Sequence, residues 1–594
     1  MAVSESNTDP TTTDNSCDKS NKDMSARPSV RLAGWPCKPC AQGTCRNSQD
    51  NLMKFGPTMF FWHNIENDID EPANFDKAIE TAGFGFFNLL LLVVAITAIL
   101  ANVFSTTTMA YILPIAECDL KLTLINKGTL NSATYAGMVA SAIVWGYLAD
   151  TQGRRKILII GYLADAVCVF CSSMSQNFVM LVTFKFFGGL IVNGPGAVLF
   201  TYLTELHGPK YRPRVLMALG MVQSLGTLIL PMLAWAILSQ DWDFVLFESF
   251  NVHTWQIFLF VCGLPSLISG LLLILLPESP KFLMSQGRNA EALRAFQKIY
   301  AFNTRKPKNT YPIHTLIEEV PTRDTNANEV VFTIDDKTDK KLPKKQHRTL
   351  AQSLHEGWQQ MKPMFRKPLL CRSLHVYFMQ FCMLLGLNTI RLWLPQLFAS
   401  IAEYEALQTD DTKSATLCTI LEYSANKSAT TVANYTLDCS ERINVSMDTY
   451  LNNIIVAIVG LVGYCFAGFI IKAMGPKRLL VSGLFISGVL GVCLYWSNSG
   501  LMTLIISSIF ITICSISTSS LLGLVIALFP TTLRSIVIAV GLMFGRLGAL
   551  SGNLLFPVFV ELGCLPPFLM VGVILILASA LSCILPSEKK TTFT

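Results

Sequence analysis

Four ionisable side chains stand in apolar surroundings along this 594-residue chain: Asp165, Lys185, Arg391 and Arg546. At membrane depth such a group is costly, and it marks an ion, proton or substrate path unless a neighbour neutralises it. Asp165 and Lys185 fall on adjacent apolar segments running in opposite directions. They could pair with each other, Asp165 could bond serine or backbone groups nearby, or the two could couple a proton or a solute to movement. Arg391 lies close before Trp393 and Pro395, where it could meet an anionic solute or extend outward to lipid headgroups. Arg546, within Gly545-Arg546-Leu547-Gly548, reads as a contact between helices. Asn102, Asn193, Asn388 and Trp393 fall on segments expected to line a central cavity. The Gly194-Pro195-Gly196 run should bend its segment, and its glycines read mainly as packing residues.

A second charged constellation runs from Gly146 to Lys156, between two apolar runs. Asp150 ends one run, where a carboxylate can accept backbone N–H groups. Gly153 permits a tight reversal. Arg154 and Arg155 can reach a carboxylate; Glu205 is the best candidate, and Arg212 or Arg214 could complete the set. Asp150, Gly153, Arg154, Arg155, Glu205 and Arg212 together read as a gate on the cytosolic face. Gly468 to Arg478 looks like a degenerate copy. Gly146 matches Gly468, Gly153 matches Gly475, and Lys472 stands where the first copy has Asp150. The bases Lys472, Lys477, Arg478 and Arg534 lack an obvious local acid. That leaves anionic headgroups or helix C-termini as their partners.

The elements that must position these groups follow from composition. The chain is 51% hydrophobic and 14% charged, against about 25% charged in a soluble protein. Apolar runs long enough to cross a ~30 Å hydrocarbon core recur twelve times. Six precede residue 280 (87–115, 128–149, 157–175, 178–204, 215–238, 255–277). Six follow 370 (373–398, 450–473, 479–497, 500–529, 534–558, 564–586). With no water in hydrocarbon to satisfy backbone groups, each should be helical. The expected fold is an all-α membrane protein of twelve transmembrane helices in two pseudo-symmetric six-helix bundles. The expected division is a polar cytosolic tail (1–84), an N-terminal bundle (85–280), a cytosolic linker with amphipathic helices (281–372), a C-terminal bundle (373–586) and a short cytosolic tail (587–594). The first stretch is too long and polar for a secretory signal, so the first helix should direct insertion.

Charge assigns the sides. Residues 281–372 hold 18 Lys/Arg against 9 Asp/Glu, whereas 399–449 hold 3 against 8. Basic loops mark the cytosolic side, which makes 399–449 extracellular or lumenal and both termini cytosolic. The sequons at Asn426, Asn434 and Asn444 all fall in that acidic loop, as real glycosylation requires. Cys418 and Cys439 share the same oxidising side and form a candidate disulfide. Cys37, Cys40 and Cys45 in the tail lack a nearby fourth zinc ligand and read as unmodified thiols. No phosphate loop, metal cluster or nucleophile constellation suggests an enzyme, a metal or a cofactor. No nucleic-acid partner is implied.

The turn Gly146-Tyr-Leu-Ala-Asp-Thr-Gln-Gly-Arg-Arg-Lys156 resembles the signature of the major facilitator superfamily. Several motifs resemble its synaptic vesicle glycoprotein 2 branch, near the sugar and organic-ion porters. They are Phe75 to Glu80 with Gly83-Phe-Gly85-Phe, Pro277-Glu278-Ser279-Pro280-Lys281-Phe282, the sequon-bearing loop, and the Ala234-Trp235 run with His253-Thr-Trp255. The resemblance covers about residues 75–586 and implies two six-helix halves with a site between them. There are departures. The first span, Ile99 to Met109, is polar but lacks the acid many porters carry there, Lys185 replaces an arginine, and the sugar-porter glutamine pair is incomplete at Gln380 and Asn388. Two functions follow from the resemblance. One is a monomeric secondary transporter for a small organic solute, with an anion among the candidates. The alternative is a vesicle-type glycoprotein that acts mainly by binding partners. The plasma membrane and an intracellular vesicle membrane both fit, with membrane lipids, and cytosolic partners of the tail, as further contacts.

Overall fold

The computed structural model describes residues 72–317 (except 241, 243 and 247–249), 362, 367, 369–407, 416–424, 446–529 and 531–585. Cys37, Cys40, Cys45, Cys439, the sequons at Asn426, Asn434 and Asn444, and the tail 587–594 lie outside the described residues.

A short helix α1 (Phe75–Thr81) starts the described chain, capped by Asn74, whose side chain accepts the Lys77 N–H. Six long helices follow: α2 (Phe86–Ile112), α3 (Leu124–Gln152), α4 (Arg154–Ser173), α5 (Phe178–Glu205), α6 (Arg212–Leu238) and α7 (Thr254–Leu273). A small antiparallel hairpin, β1 (Phe244–Leu246) with β2 (Phe250–Val252), joins α6 to α7. Two shorter helices come next, α8 (Pro280–Ser285) and α9 (Asn289–Thr304). The second set of long helices is α10 (Leu369–Leu407), α11 (Met447–Met474), α12 (Pro476–Cys493), α13 (Gly500–Leu528), α14 (Thr531–Glu561) and α15 (Leu565–Ile584).

Eleven of these helices are long and apolar enough to cross a membrane by composition alone. The twelfth spanning helix is α3. It falls short because Asn131, Ser132, Thr134 and Ser141 interrupt its apolar residues, and all four are buried. It can carry them because it packs between α5 of its own half and α14 of the other, so its polar groups face protein rather than lipid. Other spans turn large apolar side chains outward, among them Phe469 (74% exposed) and Val179 (69%). In water such a surface would aggregate; in hydrocarbon it is the solvent-matched face.

The two halves repeat one packing scheme. In the first, α3 packs on α5, α4 on both α5 and α7, and α2 on α6. In the second, α11 packs on α13, α12 on both α13 and α15, and α10 on α14. Each half encloses its own apolar core. The halves meet where α3 packs on α14, its symmetry mate α11 packs on α6, and α2 touches α10. The turns that begin α4 and α12 also correspond. Gly153 (φ +94°) and Gly475 (φ +79°) both occupy the left-handed region that favours glycine and start the next helix.

Linker helix α9 buries Ala292, Leu293, Ala295, Phe296 and Ile299, one helical stripe. Against it lie Phe75 of α1, 6.0 Å from Phe296 between ring centroids, and Tyr311, whose hydroxyl donates to the Ala78 carbonyl at 2.7 Å. Ala73 and Leu316 form a parallel bridge. The segment before the first span and the segment after the sixth are thus bound together beneath one half.

Candidate functional site

At the first hinge, the Arg154 guanidinium stands 3.5 Å from Glu205 at the end of α5 and donates to the Ala149 carbonyl at 3.1 Å. It also lies over the Phe282 ring. Glu205 accepts the Ser279 hydroxyl at 2.5 Å. The Arg155 backbone N–H donates to Glu278 at 2.9 Å, and its guanidinium donates to the Leu273 and Ile274 carbonyls at the end of α7. Tyr202 donates to the Pro277 carbonyl at 2.6 Å. The cluster therefore braces α4, α5, α7 and α8 of a single half. The Asp150 side chain lies outside the described residues.

Arg212 corrects the expected gate. It turns away from Glu205 to Asp76 of α1 (2.7 Å) and to the Thr204 and His207 carbonyls. The reason is geometric: Arg212 starts α6, so its side chain lies over the α5–α6 turn, beside the helix the preceding tail lays there. Glu278 and Ser279 are members that sequence reasoning did not assign to the hinge. The available signal was a carboxylate immediately following a span, in Pro277-Glu278-Ser279-Pro280.

The second hinge holds Lys477 and Arg534 on carbonyls, and the Lys472 side chain lies outside the described residues. Lys477 donates to Cys583 (2.9 Å) and Leu585 at the end of α15, as Arg155 does at the end of α7. Arg534 donates to Phe529 just past the end of α13. Carbonyls at a helix C-terminus carry partial negative charge, so these cations need no carboxylate.

Between the halves, polar contacts lie towards the end away from both hinges. Arg391 of α10 donates to Thr107 of α2 at 2.8 Å. Tyr135 of α3 donates to Asn388 (3.3 Å), and Asn131 donates to the Leu392 carbonyl (3.4 Å). Arg546 of α14 donates to Asn193 of α5, whose amide donates in turn to the Met138 carbonyl at 2.8 Å. A Cβ on Gly128 would run into Asn553 and Pro557, so the backbones of α3 and α14 approach closely there. At the hinge end, by contrast, Gly146 and Gly468 have nothing within 4 Å of an added Cβ.

Arg391 thus points inward to the other half, not outward to headgroups. Arg546 is also a contact between helices, but one that crosses the halves. Both act electrostatically on Tyr135, and Arg391 also on Tyr464. Among the described residues neither guanidinium is in an ion pair. Asn102 does not face this cavity: its amide donates to Tyr162 (3.0 Å) and Ala98 (2.9 Å) inside the first half. Trp393 is buried on Phe556 and Val560, with Leu124 of the other half against them, and so belongs to the sealed end.

Asp165 is completely buried and accepts Ser266 of α7 at 2.6 Å and Ser105 of α2 at 3.2 Å through Oδ2. Lys185, 4% exposed, shares a small cavity with it. Neither is in an ion pair among the described residues. The serine bonds, not a direct contact with Lys185, satisfy the carboxylate.

The disulfide expectation is corrected too. Cys418 is bonded to Cys564, with the Cα atoms 5.3 Å apart, and not to Cys439. The helical segment 417–424 sits on the second half, where the Leu417 N–H donates to Ser497 and Ser400 donates to Ser424. That places Cys418 beside the α14–α15 turn, 146 residues away in sequence.

Comparisons agree with this architecture. Synaptic vesicle glycoprotein 2B of Rattus norvegicus is 29% identical over 242 residues, covering 41% of this chain and 35% of the relative. Synaptic vesicle glycoprotein 2A of Homo sapiens is 30% identical over 232 residues, covering 39% and 31%. The match thus spans about a third of the length of these curated relatives. Among solved structures, the xylose transporter XylE from E. coli, in a partially occluded inward open conformation, superposes with a TM-score of 0.55 at 15% identity. That superposition covers 84% of this chain and all of the other, and shows the shared fold. Residues 94–422 match the profile of the Major Facilitator Superfamily, more than half of the chain. With twelve spanning helices in two repeated halves, the chain belongs to this superfamily of membrane transporters, not enzymes.

Proposed function

We propose that this chain is a secondary-active transporter that moves a small organic anion across the membrane by alternating access. One observation carries the reading. Two guanidiniums of the second half, Arg391 and Arg546, reach into the seam and, among the described residues, bond only neutral acceptors, Thr107 and Asn193. Keeping an unneutralised cation inside a membrane protein costs several kcal/mol, and a transported anion offsets that cost. Tyr135, Asn388 and Tyr464 supply hydroxyl and amide groups beside them. An arginine fork suits a carboxylate or a sulfonate better than a neutral sugar.

The basic hinges and linker support a cytosolic hinge end, with both termini there and the acidic loop outside. In that orientation the contacts through Thr107, Asn131 and Gly128 seal the outer end and the seam opens inward. The Arg154–Glu205–Ser279 brace then keeps the first half rigid as it rocks against the second. Plasma or vesicle membrane both suit this reading.

The test is uptake and exchange in proteoliposomes, with benzoate and succinate as anionic probes and an organic cation and a sugar as controls. The anions should exchange, and Arg391→Ala and Arg546→Ala should each abolish exchange. Equal transport of the sugar, or anion exchange unchanged in both variants, refutes the reading.

A further inference from the structure

The first span lacks an acid, yet an acid reaches it. Asp165 rises from α4 into a site built by four helices. Ser105 comes from α2, Ser266 from α7, and Lys185 from α5. Asp165 Oδ2 is occupied by both serines, whereas Oδ1, among the described residues, receives only a long 3.4 Å contact from Ser105. The cavity these groups share is about 10 Å³, also lined by Thr134, Cys168 and Ser172. That is close to the room one water needs, and its walls are polar enough to hold one.

We propose that Asp165 is the proton-binding site of this chain, placed inside the first half rather than in the seam. This rests on the transporter reading above and adds what drives it. The step is a single proton transfer. Hydronium on one side gives its proton to Oδ1 through the cavity, forming the carboxylic acid, and water on the other side takes the proton back. Among the described residues, the titratable groups facing Asp165 are Lys185 from α5, which also faces Cys262 of α7, and Tyr162 and Cys168 from its own helix. Ser105 and Asn102 are the polar residues of α2 at this level, and α3 offers Thr134.

Coupling follows from α2. Ser105, which holds Asp165, stands two positions before Thr107, which holds Arg391. Between them, Thr106 donates back to the Asn102 carbonyl at 2.9 Å. Protonation weakens the Ser105 and Ser266 bonds, because a neutral acid is a poorer acceptor than a carboxylate. The same turn of helix carries that change to the contact that seals the seam.

Two measurements test this with the full-length protein in phosphatidylcholine liposomes. The first is infrared spectroscopy across a pH series, which needs no solute. A titrating carboxylic-acid band should be present in the wild type, absent in Asp165→Asn and displaced in frequency in Asp165→Glu. Identical bands in wild type and Asp165→Asn overturn the proposal. If Asp165→Asn does not fold, Ser266→Ala serves: the band's midpoint should move, and an unmoved midpoint overturns it. The second measurement follows succinate exchange with a pH dye inside the liposomes. Asp165→Asn should lose proton movement, and proton movement that persists alongside succinate exchange overturns the proposal. A wild type that shows the titrating band but exchanges no anion sinks the transporter reading and leaves the proton site standing.

Discussion

Removing one hydroxyl should unseal the outer end. Thr107→Val deletes the acceptor of Arg391 while nearly preserving the side-chain shape. A hydrogen bond to a charged group is worth about 1.5–3 kcal/mol. Beside the charged Arg546–Asn193 bond, the contacts Tyr135–Asn388 at 3.3 Å and Asn131–Leu392 at 3.4 Å are long and neutral, each worth roughly 0.5–1.5 kcal/mol. Among the described residues, Arg391–Thr107 is thus one of two charge-assisted bonds joining the halves, with Arg546–Asn193. At about 1.4 kcal/mol per tenfold, its loss should raise the ratio of outer-open to outer-closed molecules by about 10–150-fold. Spin labels at the exposed Ile125 and Leu562 report that separation, with Cys371, Cys465 and Cys583 replaced by serine. The label distance distribution should gain a longer component in Thr107→Val and stay as in wild type in Thr107→Ser. A change below about threefold in that ratio would refute the assignment of Arg391–Thr107 as the outer latch.

Three further outcomes are expected. Gly153→Ala and Gly475→Ala both force a side chain into the left-handed region, at about 1–2 kcal/mol each. Only Gly153 has a wall beside it, Glu278 Oε2 at 2.7 Å from an added Cβ, so it should lower the melting temperature more; equal losses contradict the brace. Non-reducing peptide mapping should recover a Cys418–Cys564 cross-link that survives Cys439→Ser, and Cys564→Ala should destabilise the second half by about 2–5 kcal/mol. His207, just past the end of α5, is held below its ordinary value of 6.5, first by burial and also by nearby Arg212, against the opposing bond to the Leu203 carbonyl. Because the folded state binds this proton less readily than the unfolded chain, stability should fall as pH drops below 6.5. His207→Gln should flatten that slope in thermal scans at pH values on either side, and an unchanged slope assigns it elsewhere.

Much of the architecture was legible in the chain because hydropathy and loop charge act locally. Twelve apolar runs, the paired turns at Gly153 and Gly475 and the bases beside them are properties of short windows, and hydrocarbon allows such windows only the helix. The identities of Asp165, Lys185 and Arg391 as candidates followed for the same reason: a charge in an apolar window stands out by itself. Partners did not follow. Arg212 took Asp76 instead of Glu205, and Cys418 took Cys564 instead of Cys439. Asn102 turned into its own half, whereas Arg546 reached from the second half across to Asn193 of the first. Each choice depends on which helix faces lie opposite one another, and packing at close range between segments far apart in sequence sets that. Sequence determined that this chain would place charges inside a membrane. Only the tertiary structure decided that Asp165 would be satisfied by serines of two other helices, and that Arg391 and Arg546 would reach across the seam to the neutral acceptors Thr107 and Asn193.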